Sequence, residues 1–136
     1  MPHFLDTNIL LYSISRNPAD AVKRERAVAL LGQDDGALSV QVLQEFYVQA
    51  TRPTRRHPLT HETAVGLVSA WTRFKVQEIT LSILTSALEI KAANGFSYWD
   101  SAIIAAARAL GYRILYSEDM SHGRQVEEIT IINPFR

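Results

Sequence analysis

The sequence predicts an α/β protein, a three-layer α/β/α sandwich with a mostly parallel central sheet. Short apolar segments typical of strands alternate with longer segments of helical period along the whole chain, which favours parallel strands covered by helices. The chain has 136 residues, of which 47% are hydrophobic and 21% charged, as in a globular protein with one core. Because no internal repeat or interdomain linker is present, we expect residues 1–136 to form a single domain.

The first predicted strand, residues 4–5, ends at Asp6, and residues 9–15 form a turn or short helix. The next helix begins at residues 17–20, because asparagine is a good cap and proline favours the first helical position. Its apolar stripe, which runs to residue 31, is predicted from Val22, Ala29 and Leu30.

The remaining elements follow from apolar periodicity, capping residues and helix-ending Asn-Gly or Gly. Ser39, Thr60 and Ser97 are the predicted helix caps. The predicted strands are 37–40, 76–80, 113–116 and 129–132. The predicted helices are 40–52, a helix from Thr60 with Ala64, Leu67, Val68 and Trp71 on one face, 81–93 and 98–110.

The charge balance does not indicate a strongly basic nucleic-acid binder, because 14 basic and 14 acidic residues give a net charge of zero. The absence of cysteine excludes disulfides and thiolate metal sites and fits a reducing compartment. No secretory leader opens the chain, and the most apolar stretch, 102–110, is too short to span a bilayer. We therefore expect a cytoplasmic protein without a membrane partner.

Two acidic positions follow predicted strands. Asp6 lies between apolar segments, where an unpaired carboxylate is costly, so it needs a cation, a metal or backbone donors. It also suits a turn residue that accepts backbone hydrogen bonds. Asp119, with Glu118 beside it, follows strand 113–116. Parallel strands end at a common edge, where ligands of such sheets bind, so these acids are expected at one rim.

Two further acids lie on helices that are expected to start near this rim. An alternative interpretation of Glu45 is a helix-surface residue paired with an arginine. An alternative interpretation of Asp100 is the acidic member of a capping box with Ser97. Several carboxylates at one edge repel one another and raise their pKa values, and a divalent cation relieves this repulsion. Oxygen ligands without cysteine or a histidine pair favour Mg²⁺, with Mn²⁺ as the alternative.

Four segments in this order resemble the motifs of PIN-domain ribonucleases, specifically the VapC-type toxins of prokaryotic toxin–antitoxin systems. They are Leu5-Asp6-Thr7-Asn8-Ile9-Leu10, Glu45 early in its helix, Tyr98-Trp99-Asp100-Ser101-Ala102-Ile103 and Tyr116-Ser117-Glu118-Asp119-Met120. The resemblance covers essentially the whole chain. It implies a PIN-like fold, a homodimer, and inhibition by a cognate antitoxin.

The resemblance also implies a metal-dependent endoribonuclease. Its catalytic and metal-binding acids would be Asp6, Glu45, Asp100 and Asp119, with Glu118 competing for the fourth position. Thr7, Asn8 and Ser117 would support the site. Metal-activated water would hydrolyse RNA phosphodiesters and leave a 5′-phosphate and a 3′-hydroxyl.

Residues outside the acidic set suit RNA contacts. Arg52, Arg55 and Arg56, with His57, fit an RNA backbone or, equally, a solvated charge run. Trp99 could stack on a base, although packing against the domain or a dimer partner is the stronger expectation.

Other functions fit the sequence less well. A haloacid-dehalogenase-like phosphatase needs Asp-x-Asp, but Asn8 replaces the second aspartate and no lysine follows Asp100. The paired early acids and late lysine of a response-regulator receiver are missing, as is the glycine-rich turn of a dinucleotide-binding domain. A catalytically silent PIN-fold module that binds RNA or protein is the remaining alternative.

Overall fold

A computed structural model describes all 136 residues and has the predicted three-layer α/β/α architecture. Six strands form one sheet in the order β3-β2-β1-β4-β6-β5, parallel except for the β5–β6 pair. The strands are β1 (His3–Leu5), β2 (Gly36–Ser39), β3 (Lys75–Gln77), β4 (Ile114–Tyr116), β5 (Gln125–Val126) and β6 (Ile129–Ile132). The helices are α1 (Thr7–Ser13), α2 (Ala21–Leu31), α3 (Val40–Ala50), α4 (His61–Trp71), α5 (Leu81–Asn94) and α6 (Tyr98–Ala109).

Strand β1 lies at the centre of the sheet, between β2 and β4. Phe4 is opposite Ala37 on one side and Leu115 on the other, and all three are fully buried. The strand order runs in opposite directions on the two sides of β1, from β2 to β3 and from β4 to β6. The carboxyl end of β1 is therefore at the reversal point where open α/β sheets form their binding crevice.

Side-chain caps set the start of most helices. Ser39, Thr60, Thr80 and Ser97 each accept a hydrogen bond from a backbone N–H in the first turn of α3, α4, α5 and α6. Gly95 ends α5 with a φ of 77°, a left-handed conformation that glycine adopts without Cβ strain. None of the helices has both the length and the apolar character needed to cross a lipid bilayer.

The core lies between the sheet and its helices. Phe4 and Phe46 are among its largest fully buried side chains, and Phe46 meets Trp71 edge to face with ring centroids 4.6 Å apart. Helix α6 is buried continuously from Ser101 to Ala107, as its nearly uniform apolar composition predicts. This burial fixes α6, and with it Asp100 in the first turn, against the sheet.

The predicted elements are confirmed in type and order, with four main differences in detail. Residues 17–20, the predicted helix start, form a separate 3-10 turn, Pro18–Asp20 with Asn17 as its cap, and α2 begins at Ala21. In α2 the predicted stripe is wrong for Val22, 81% exposed, and for Ala29, because the helix buries the face made by Ala27, Leu30 and Leu31. Strand β3 ends at Gln77 rather than at residue 80, since the chain leaves the sheet to let Thr80 cap α5. The short strand β5 was not predicted, because two residues show no periodicity.

Candidate active site at the carboxyl edge of the sheet

Asp6 joins the end of β1 to the start of α1. Its side chain is only 5% exposed, and its backbone N–H donates to the Tyr116 carbonyl of β4 at 3.0 Å. The carboxylate accepts a hydrogen bond at each oxygen, from the Thr7 N–H at 2.7 Å and from the Ser117 hydroxyl at 2.7 Å. The predicted backbone donor is therefore present, but it satisfies only one oxygen.

The electrostatic environment of Asp6 disfavours its ionised form. Burial raises the pKa of Asp6 from 3.8 to about 7, and the negative charges of Asp100 and Glu45 act in the same direction. The hydrogen bonds from Ser117 and Thr7 oppose this rise only in part. A carboxyl group with this pKa is poised to ionise when a cation arrives.

Glu45 is half-buried in the middle of α3 and faces the start of α1. Its Oε1 accepts from the Thr7 hydroxyl at 2.6 Å, and its Oε2 accepts from the Gln41 amide at 3.2 Å. The alternative in which an arginine pairs with Glu45 is wrong, because none of the ion pairs in the structure involves it. Gln41 lies four residues earlier on the same helix face, a spacing that could have identified it from the sequence.

Asp100 lies in the first turn of α6, where its backbone N–H donates to Ser97 Oγ at 3.1 Å. The capping interpretation is thus correct for the backbone of this turn. The side chain has a second relation, because burial and the nearby charges of Asp119 and Glu45 raise the pKa of Asp100. Capping and membership of an acidic cluster are therefore compatible.

Asp119 and Glu118 follow β4 and have different partners. Asp119 is exposed, and its Oδ2 accepts from the Asn8 amide at 3.1 Å. The Glu118 carboxylate instead accepts from Lys23 Nζ at 2.6 Å and from the Tyr12 hydroxyl. Glu118 is therefore neutralised by a cation of α2, whereas Asp119 adds to the negative charge felt by Asp100.

The acidic site draws on four segments that are far apart in sequence. Asp6, Glu45, Asp100 and Asp119 are electrostatically coupled, and none of them belongs to an ion pair. Their carboxylate oxygens are the ligand type that Mg²⁺ and Mn²⁺ prefer, and the accumulated negative charge suits a divalent cation. As the side chains stand, no three acidic or histidine residues are close enough to enclose an ion. The residues fit a divalent metal in donor type and charge.

The predicted RNA-contacting arginines lie in two places. Arg55, Arg56 and His57 line a polar cavity of about 170 Å³ with Arg16, which the sequence analysis did not identify. Arg52 lines a separate groove that also contains Glu45. Of the two packing expectations for Trp99, packing against the domain is wrong, because this side chain is 64% exposed, and packing against a dimer partner stays a prediction.

Fold and site together define an open, mostly parallel α/β protein with an acidic site where the strand order reverses. The family model of the PIN domain matches residues 3–125, and the chain belongs to this family. The sequence matches none of the curated proteins with which it was compared.

Solved structures of toxin–antitoxin proteins have a similar fold. A toxin–antitoxin complex from Klebsiella pneumoniae superposes with a TM-score of 0.72 at 17% identity, over 97% of each chain. VapC20 of Mycobacterium tuberculosis, described as a sarcin–ricin loop cleaving toxin, gives 0.67 at 21% identity over 86% of this chain and 89% of that one. VapBC-1 from nontypeable Haemophilus influenzae gives 0.65 at 15% identity over both whole chains. At these identities the likeness establishes the fold.

Proposed function

We propose that the protein is a Mg²⁺-dependent endoribonuclease, the toxin of a type II toxin–antitoxin module. The main support is the environment of Asp6, a buried carboxyl group with a pKa of about 7 beside other acids that have no cationic partner. Membership of the PIN domain family and the fold shared with VapC20 are consistent with this function.

In this proposal Asp6 and Asp100 hold the metal, and Glu45 and Asp119 complete its surroundings. Mn²⁺ can replace Mg²⁺, because the same oxygen ligands suit both ions. When bound, the metal lowers the pKa of a water molecule and stabilises negative charge on the scissile phosphate. Attack of water at phosphorus leaves a 5′-phosphate and a 3′-hydroxyl.

The protein's own polar side chains keep the acids in position. The Ser117 hydroxyl and the Thr7 N–H each hold one oxygen of Asp6, so its carboxylate plane is fixed. The Thr7 hydroxyl orients Glu45, which links that acid to the same turn as Asp6. The Asn8 side-chain amide donates to Asp119, and its Oδ1 accepts from the Glu118 N–H at 3.4 Å, so Asn8 connects the loop after β4 to α1. We assign the fourth acid to Asp119 because Lys23 already neutralises Glu118.

The basic residues supply contacts to the rest of the RNA. No carboxylate forms an ion pair with Arg52, Arg55 or Arg56, so their charge is free for phosphate. Phosphate contacts of this kind position a nucleic acid without reading its sequence. RNA is thus one partner in the proposal. The others are a cognate antitoxin protein and a second copy of the chain, and the compartment is the cytoplasm.

The experiment compares purified wild-type protein with Asp6→Asn, Asp100→Asn and the control Asp34→Asn, an exposed loop acid. The substrates are tRNA and a ribosomal stem-loop, each incubated with Mg²⁺ or with EDTA. We expect EDTA to abolish cleavage, and each site substitution to reduce it by roughly 100-fold or more, since loss of a mere supporting group already costs 10- to 100-fold. Asparagine keeps an oxygen that can accept from the Thr7 N–H, so the start of α1 stays capped.

The same experiment tests the alternative, a silent PIN-fold module that binds RNA or protein. This alternative is supported by the separation of the acids, no three of which enclose an ion as they stand. Cleavage that resists EDTA, or that survives both site substitutions, would exclude the metal-dependent nuclease. Binding of the RNAs without any cleavage in Mg²⁺ or Mn²⁺ would favour the silent module.

A further inference from the structure

A groove of about 330 Å³ runs along one face of α3 and continues to the start of α6. Its α3 side is polar except for Val48, and it ends at Arg52, just beyond the helix. The polar residues on that side are Gln41, Gln44, Glu45 and Gln49. From residue 41 to residue 49 this face is about 12 Å long at 1.5 Å per residue. Because Glu45 belongs to both the groove and the acidic cluster, a strand that reacts at the cluster can continue into the groove.

Trp99 forms the opposite wall of this groove and is unusually open to solvent for an aromatic residue of its size. Its side chain is 64% exposed, and its only aromatic contact is edge to face with Tyr98, at 5.0 Å between ring centroids. Its backbone is held in place, because the Gln41 amide donates to the Trp99 carbonyl at 3.1 Å and to Glu45 at 3.2 Å. One glutamine therefore fixes the position of Trp99 relative to an acid of the site.

We propose that an unpaired nucleobase of the RNA stacks on the Trp99 ring, next to the scissile phosphate. This inference rests on the proposed nuclease function and adds the requirement for a single-stranded nucleotide at the site. Exposed aromatic faces stack on bases that are free of a duplex, and every base offers such a face. The Gln44 and Gln49 amides are placed to hydrogen-bond the base edge, and Arg52 to contact the next phosphate.

The charge pattern along the groove favours nucleic acid over a protein segment as the occupant. Glu45, an acid of the cluster, lies partway along the α3 face, and Arg52, which has no ion-pair partner, lies at its far end. Between them the groove presents Val48 and the Gln49 amide, with Trp99 on the other side. A nucleotide presents the matching sequence of groups, namely a phosphate at the metal, a base with donors and acceptors, and a second phosphate at the arginine. The groove thus fits one nucleotide with its two flanking phosphates.

Tryptophan fluorescence tests whether a base stacks on Trp99 without any need for cleavage. The chain has two tryptophans, and Trp71 is only 6% exposed, so a base can reach Trp99 alone. Titration of the wild-type protein in EDTA with a single-stranded RNA of ten nucleotides should quench emission saturably. The same titration with a blunt RNA duplex of that sequence should not, and quenching should disappear in Trp99→Phe, which lacks the indole.

Binding of the same oligonucleotide, measured by anisotropy of a terminal dye, gives the magnitude. Trp99→Ala should weaken binding roughly 5- to 150-fold, the range found for loss of one stacked base, whereas Trp99→Phe should retain most of the affinity. Leu81→Ala is the control, because Leu81 is 78% exposed and lies outside the groove. Its affinity should equal that of the wild type.

Three results would overturn the proposal that a base stacks on Trp99: no saturable quenching, equal quenching by the duplex, or unchanged affinity in Trp99→Ala. A change in Trp99 emission that depends on protein concentration alone would also overturn it, because a second copy of the chain would then cover the groove. Failure of the nuclease proposal is distinguishable, since it would abolish metal-dependent cleavage while leaving the Trp99-dependent binding in EDTA intact.

Discussion

The two oxygens of the Asp6 carboxylate connect two different parts of the fold. One oxygen accepts from the N–H of Thr7 at the start of α1, and the other accepts from the hydroxyl of Ser117 after β4. The group is almost fully buried, and its pKa of about 7 lies well above its ordinary value of 3.8. At neutral pH the Asp6 carboxyl group is therefore less readily ionised in the folded protein than in the unfolded chain.

The raised pKa of Asp6 predicts the pH dependence of stability in EDTA. A carboxyl group with a higher pKa when folded does not reduce stability below about pH 4. It becomes increasingly destabilising as pH rises from about 4 to about 7, by about 4 kcal/mol at most. Urea unfolding at pH 5 and pH 8 should show that the wild type loses stability relative to Asp6→Asn over this interval.

Addition of Mg²⁺ provides the control for this measurement. The ion should raise the stability of the wild type at pH 8 and leave Asp6→Asn nearly unchanged, because ligands stabilise the state that binds them. An equal pH dependence of the two proteins in EDTA would show that Asp6 is ionised in the folded state at no cost.

Among the elements, the segment after β4 is held by partners from two helices. Its Ser117 contacts Asp6, its Glu118 contacts Tyr12 of α1 and Lys23 of α2, and the Tyr12 ring packs edge to face on Phe135 at 4.9 Å. Lys23 Nζ also lies 5.0 Å from the centroid of the Tyr12 ring. The two adjacent acids thus have separate partners, Tyr12 and Lys23 for Glu118 and Asn8 for Asp119.

This division predicts different effects for substitutions at the two adjacent acids. Asp119→Asn should lower the kcat/KM of RNA cleavage at least about 10-fold and raise the Mg²⁺ concentration needed for half-maximal rate. Glu118→Gln should leave that Mg²⁺ concentration unchanged, because its carboxylate faces Lys23. Cleavage rates measured across a Mg²⁺ titration provide the comparison, and the reverse ranking would make Glu118 the fourth acid.

The order and type of the elements could be predicted because each depends on local pattern and capping. The burial of α6 and the caps Ser39, Thr60 and Ser97 are legible in the sequence. The exposure of Val22 could not be predicted from the sequence, because it depends on how much of α2 is covered by the neighbouring helix α1.

The acidic site was predictable only as a set of residue types near one edge. Local sequence could not distinguish Glu118 from Asp119, because the difference lies in Lys23, 95 residues away from Glu118. Arg16 was missed for a similar reason, since its neighbours Arg55 and Arg56 belong to a distant linker. Side-chain partners that tertiary folding brings together have no signature in a single segment.

At the scale of the whole molecule, a net charge of zero conceals a local imbalance. The carboxyl edge of the sheet accumulates acids, whereas Arg16, Arg55 and Arg56 surround a polar cavity whose only lining acid is Asp20. Helix α1, whose 7 residues span about 10 Å, lies between its N-cap Asp6 and Ile14, its C-cap, which lines the cavity. In the proposed function, these arginines would contact a phosphate further along the RNA strand than the one beside Asp6.

Salt dependence of RNA binding tests this role of the basic cavity. In EDTA, the double substitution Arg55→Ala and Arg56→Ala should reduce the slope of log K against log salt by about 1.4, two phosphate contacts at about 0.7 each for a single strand. Arg113→Ala is a suitable control, because Arg113 is exposed and precedes β4, at the opposite edge of the sheet. An unchanged slope in the double variant would indicate that these arginines are merely solvated.

The central place of β1 has a consequence for the order in which the protein is made. The hydroxyl that holds Asp6 comes from Ser117, 111 residues later in the chain, and β4, which pairs with β1, is made just before that point. At about 5–20 residues per second, this interval lasts roughly 5 to 20 seconds on the ribosome. Throughout that time the nascent chain has its first acid but not the strand that positions it. The contacts that hold Asp6 can therefore form only after Ser117 has been synthesised.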